Sequence, residues 1–81
     1  MLRKIELAEE YLLRCGYPGS RVRLHDDVAR IECLPGFLTK IINDPRREQI
    51  TSHLKKLGFR YISLDLEGYR TGSMGPEIKE I

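Results

Sequence analysis

The residues able to do chemistry fall at alternate positions of three short runs. Arg21, Arg23 and His25 alternate with Val22 and Leu24; Arg30 and Glu32 alternate with Ala29, Ile31 and Cys33; Tyr61, Ser63 and Asp65 alternate with Ile62, Leu64 and Leu66. Alternate residues of a β-strand share a face, so three strands would collect these polar residues on one side of a sheet and the apolar ones on the other. All three cations in these runs are arginines, whereas the five lysines lie elsewhere. The planar arginine fork suits bidentate recognition of phosphate or carboxylate. Clustered guanidiniums also repel one another unless something anionic sits among them. Arg70, just past the third run, could reach the same neighbourhood. Two readings stand: an anion site built on Arg21, Arg23 and Arg30, or a solvated or subunit-contact face with cross-strand ion pairs such as Arg23–Glu32. His25, at a strand end, is a candidate ligand or acid–base group, and Asp65 with Glu67 a candidate cation site. His53 reads as the edge of a buried helical stripe. The glycines from Gly68 to Gly75 follow a strand and open no helix, so they lack the setting of a phosphate-cradling loop.

Simple elements must position these residues. Ile5, Ala8, Tyr11, Leu12 and Cys15 recur at helical spacing, which predicts an amphipathic helix over Arg3–Cys15 capped by Gly16. Two alternating runs around Asp26-Asp27 predict a hairpin. Phe37 to Ile42 predicts a short helical turn. Asp44-Pro45 reads as cap and first position of a helix whose buried stripe is Ile50, Leu54 and Leu57, ending at Gly58. Tyr61–Leu66 predicts the third strand, and Glu77–Ile81 a frayed helical end. The expected fold is α+β, in the order α-β-β-α-β. Its three strands form an antiparallel sheet, the third placed beside the first, with the helices on one face.

The bulk properties narrow the function classes. Eighty-one residues make one small domain with a thin core. The recurrence of Ile, Leu and Val argues against disorder. A net charge of +2, from 14 basic and 12 acidic residues, argues against nucleic acid as a partner. No apolar run approaches the ~20 residues needed to span a bilayer, and no apolar signal core follows the first basic residues. Cys15 and Cys33 form no CxxC pair and read as free thiols in a reducing compartment. The expected location is the cytoplasm.

Three stretches carry a resemblance. Leu2-Arg3-Lys4-Ile5-Glu6 opens a helix, Arg21 to Glu32 reads RVRLHDDVARIE, and Leu64 to Met74 reads LDLEGYRTGSM. In order and spacing these are similar to the C-terminal domain of the PP-loop ATP-dependent sulfur transferases of the lactate racemase maturation type. The similarity covers residues 2 to 74. It implies that a parent enzyme adenylylates a carboxylate of a pyridinium dinucleotide precursor. A sacrificial cysteine then supplies sulfur, for a product that feeds a nickel-pincer cofactor. It also implies that Arg21, Arg23 and Arg70 help hold phosphate, and that Glu32 orients an arginine or takes part in metal binding. Arg30, His25 and Asp65 are the secondary candidates.

The departures matter as much. The family's glycine after the histidine is Asp26 here, and no SGGxDS phosphate loop or sacrificial-cysteine segment occurs in this sequence. The expectation is therefore a domain for substrate phosphate and oligomer contacts. It binds no cofactor alone, and it works with a PP-loop protein that supplies ATP and Mg and with a phosphorylated pyridine nucleotide-type substrate. The alternatives are a free-standing module that binds an anionic nucleotide metabolite and a small RNA-binding domain in which Tyr61 stacks a base.

Overall fold

A computed structural model describes residues 2–69. Arg70 and the expected helical end at Glu77–Ile81 lie outside the described residues. Helices α1 (Leu2–Arg14), α2 (Leu38–Ile42) and α3 (Arg47–Lys56) accompany strands β1 (Arg21–His25), β2 (Val28–Glu32) and β3 (Tyr61–Leu64), with a 3₁₀ turn at Pro35–Phe37.

α1 buries Ala8 and Leu12 completely, with Ile5, Tyr11 and Cys15 packed beside them. It ends where the sequence says it should. Tyr17 N–H donates to the Leu12 carbonyl and Gly16 N–H to Leu13, both at 3.0 Å, with Gly16 at φ +100°. That is a Schellman termination, which needs a residue at ease in the left-handed region. The buried core joins Leu12 and Ala8 to Val22, Ala29 and Ile31 from the sheet, to Ile41, Ile50 and Leu54 from α2 and α3, and to Cys33 and Phe59 from the connecting segments.

The β1–β2 hairpin forms as expected, with Val22 opposite Ile31 and Leu24 opposite Ala29. Its tip holds Asp26 at φ +53°, the one non-glycine at positive φ among the described residues. Aspartate tolerates this region but glycine tolerates it better. Asp26→Gly is expected to raise stability by about 0.5–1 kcal/mol, or roughly 2–8 °C in a thermal melt.

The third strand departs from expectation. β3 lies beside β2, parallel to it, so the sheet runs β1-β2-β3 and is mixed rather than antiparallel. On the outer edge of β1, Val22 N–H donates to Glu9 Oε2 of α1 at 2.9 Å, so a helix side chain occupies one backbone donor of that edge. On the other side the Asp27 carbonyl accepts from Arg60 and Tyr61 N–H at 2.8 and 3.2 Å, which starts β3 against β2. A helical crossover returns the chain to the same end of the sheet, so the new neighbour is parallel. β3 stops at Leu64, and Leu66 is 75% exposed rather than in the core.

α3 begins two residues later than Asp44-Pro45 suggested, at Arg47. Asp44 is instead the buried hub of the preceding turn. Its carboxylate accepts from Tyr17 Oη at 2.5 Å, from Arg46 N–H at 2.7 Å, and from Arg46 Nη2 and Nε at 2.9 and 3.1 Å. Arg46 also donates to the Cys15 carbonyl, tying this turn to the end of α1. The hydrogen bonds from Arg46, followed by that from Tyr17, hold the Asp44 carboxyl well below the usual carboxylate range. Burial, then its bond to Asp44, pushes the Tyr17 phenol up to about 12. A carboxyl with a depressed folded pKa stabilises above its unfolded pKa near 4, and that contribution fades as pH falls through the lower folded value. Denaturation from pH 7 down to pH 2 should therefore show stability falling below about pH 4, and Asp44→Asn should flatten that limb.

Candidate anion-binding site

The register assembles the polar face as the alternation predicted. Arg21 lies opposite Glu32; Arg23 lies opposite Arg30, which in turn neighbours Ser63; His25 lies opposite Val28, which neighbours Tyr61. The two arginines of the middle row are direct cross-strand partners, a repulsive placement for like charges. Glu32 resolves it. This carboxylate is nearly buried, with 8% of the residue exposed. Its Oε1 accepts from Arg23 Nε at 3.0 Å and its Oε2 from Arg30 Nη2 at 2.7 Å.

Asp65 closes the other side. Its Oδ2 lies 3.6 Å from Arg30 Nε, an ion pair too long for a hydrogen bond, and Arg30 Nε is a buried donor without a hydrogen-bond partner. The Asp65 Oδ1 accepts from Glu67 N–H at 2.9 Å, so the same residue also shapes the turn after β3. Three guanidiniums thus face two carboxylates.

That turn brings a further group to the site. Gly68, at φ +78°, packs against the chain after β2, and the next N–H, of Tyr69, donates to the Cys33 carbonyl at 2.7 Å. The loop therefore crosses back from the edge strand over β2 and sets the Tyr69 ring 5.5 Å from the Arg21 guanidinium. Sequence reasoning singled out neither Gly68 nor Tyr69 as part of the site. A glycine and a tyrosine after a strand carry no local sign that the loop doubles back.

The remaining candidates stand apart. His25 is exposed at the strand end, and His53 stacks on Tyr11 with ring centroids 3.8 Å apart. Among the described residues no three His, Cys, Asp or Glu side chains gather to hold a metal, and no helix is long and apolar enough to cross a membrane. Cys15 and Cys33 are free thiols, Cys33 buried and Cys15 partly so. A cavity of about 210 Å³ between the helices and β3 is lined chiefly by Ile41, Ile42, Ile50, Ile62 and Leu64, with Arg47 its one charged side chain. It offers little to an anion.

No family model matches the chain. It is 42% identical over 77 residues to a pyridinium-3,5-bisthiocarboxylic acid mononucleotide synthase from Lactiplantibacillus plantarum, a match covering 90% of this chain and 26% of that protein. It is 37% identical to an uncharacterized protein from Synechocystis, over 90% of this chain and 27% of the relative. A second uncharacterized protein, from Methanocaldococcus jannaschii, is 39% identical over 86% of this chain and 27% of its own length. The chain spans about a quarter of the length of the curated relatives it matches.

Proposed function

We propose, from the chain's 42% identity to a pyridinium-3,5-bisthiocarboxylic acid mononucleotide synthase, that it serves as the substrate-phosphate domain of an ATP-dependent sulfur transferase in nickel-pincer cofactor biosynthesis. The observation that carries this reading is the arginine face, where Arg21, Arg23 and Arg30 gather on the open side of the sheet around one nearly buried glutamate. A phosphate there would accept from the outward N–H groups of Arg21 and Arg23. Glu32 fixes Arg23 and Arg30 rather than touching the ligand, and Asp65 orders Arg30 and the turn behind it. His25, exposed at the end of β1, is a further candidate, and Arg70, outside the described residues, is one on the resemblance alone.

The sequence has no SGGxDS phosphate loop of the kind that would hold ATP and Mg in the family it resembles. On this reading a PP-loop ATP-binding domain supplies both, in the cytoplasm, and the chain alone performs no sulfur transfer. A pyridine nucleotide-type substrate and further copies of the chain are the other proposed partners.

The test is a titration of the 81-residue chain with phosphate, AMP and nicotinic acid mononucleotide, followed by backbone amide shifts. Two half-exposed arginines support an affinity on the order of 1 mM, and the shifts should cluster on Arg21, Arg23 and Tyr69 and vanish in Arg21→Ala. Micromolar affinity for the isolated chain would favour a free-standing binding module instead. An absence of shifts at tens of millimolar would overturn the anion site.

A further inference from the structure

The three arginines of the face are not equivalent. Arg23 and Arg30 are both held by Glu32, each through a charge-assisted hydrogen bond of 3.0 Å or less. Arg21 sits opposite Glu32 in the strand register, yet that carboxylate pairs with Arg23 and Arg30 instead. Among the described residues Arg21 has no carboxylate partner. What it has is the Tyr69 ring, 5.5 Å from its guanidinium carbon.

An aromatic face attracts a guanidinium through its quadrupole and adds no opposing charge. Such a partner restricts where the side chain points and leaves its N–H fork and its full positive charge for a ligand. A carboxylate at the same place would pair with the fork and neutralise it. The ring is anchored to do this. Tyr69 is partly buried, its N–H is bonded to the Cys33 carbonyl at 2.7 Å, and the residue before it is a glycine packed against the chain between Cys33 and Pro35. The second arginine–tyrosine contact of the domain differs. Arg60 and Tyr61 are sequence neighbours, both exposed, at 5.6 Å.

We infer that Tyr69 is a positioning residue, whose ring holds Arg21 as the un-neutralised arginine of the anion site. The ligand it serves is a phosphate group. The role of Arg21 in binding rests on the proposed function; the hold of Tyr69 on Arg21 does not.

The experiment uses the 81-residue chain, with Tyr69→Phe and Tyr69→Leu as variants. Without ligand, the ring current should move the Arg21 side-chain protons upfield in the wild type and in Tyr69→Phe. They should return to ordinary positions in Tyr69→Leu. With inorganic phosphate, Tyr69→Leu should bind roughly 2- to 5-fold more weakly, while Tyr69→Phe should stay within about 2-fold of the wild type. Ordinary Arg21 shifts in the wild type would overturn the inference, as would full phosphate affinity in Tyr69→Leu. Equal loss in both variants would also overturn it, by assigning the effect to the hydroxyl. If the wild type binds no phosphate, the anion-site reading fails, and the ligand-free Arg21 shifts still decide whether the ring holds the arginine. Should Tyr69→Leu not fold, Tyr69→Met, with a longer unbranched side chain, takes its place.

Discussion

Replacing Gly68 with alanine is expected to lower stability by about 2–3 kcal/mol, or roughly 8–24 °C in melting temperature for a domain of this size. A Cβ at this position would lie 2.7 Å from the Cys33 carbonyl oxygen and about 3.4 Å from the Pro35 backbone. Backbone atoms cannot swing aside as a side chain can. Alanine at φ +78° adds strain of its own, of about 1 kcal/mol or more. The turn must open, and the bond from Tyr69 N–H to the Cys33 carbonyl goes with it. The turn lies beyond β3, so it can detach without unfolding the sheet, which limits the loss. Hydrogen exchange should show this as lost protection at the Tyr69 amide with β2 still protected. An unchanged melt with the Tyr69 amide still protected would mean that the turn accommodates a Cβ.

The second large effect is expected at Glu32, and its two consequences have opposite signs. Glu32→Gln removes the one carboxylate that both Arg23 and Arg30 share. Breaking a fully buried ion pair from one side costs about 3–5 kcal/mol. Here the arginine side chains are 48% and 39% exposed, so water screens them and the expected loss is roughly 1–3 kcal/mol. The face meanwhile gains a full positive charge within a few ångströms of any bound anion. Phosphate should bind about 3- to 10-fold more tightly to Glu32→Gln at low salt, with a steeper salt dependence. Urea denaturation and a phosphate titration of the same variant check both arms. Weaker phosphate binding would give Glu32 a direct part in holding the ligand or would show that fixed arginine geometry outweighs charge.

The two effects act on different arginines. Gly68 supports Arg21 through Tyr69, whereas Glu32 governs Arg23 and Arg30. The two sites still meet: Asp65 pairs with Arg30 and its carbonyl accepts from Gly68 N–H, and Gly68 packs on Cys33, the residue after Glu32, so the stability losses of the double variant should depart from additivity.

Much was legible in the chain itself, because it depends on period and on local chemistry. The spacing of Ile5, Ala8 and Leu12 fixes which side of α1 is buried, and Gly16 fixes where that helix ends. Alternation fixes which residues share the open face, since the side-chain period of a strand is two whatever its neighbour. Arg21, Arg23, Arg30 and Glu32 therefore come together in any sheet that pairs the two hairpin strands. What the sequence by itself could not determine was the side of the hairpin on which β3 would settle. The contacts that accompany its position are the Glu9 bond to Val22 N–H on the outer edge of β1 and the Asp27 carbonyl receiving the start of β3, both between residues distant in sequence. Nor could it say that Asp44, besides accepting from Arg46 N–H ahead of α3, would also serve Tyr17 and the Arg46 guanidinium. The division of labour among the arginines was likewise settled only in three dimensions. The Glu32 carboxylate holds Arg23 and Arg30, and the third guanidinium lies against the ring that the Gly68 turn delivers.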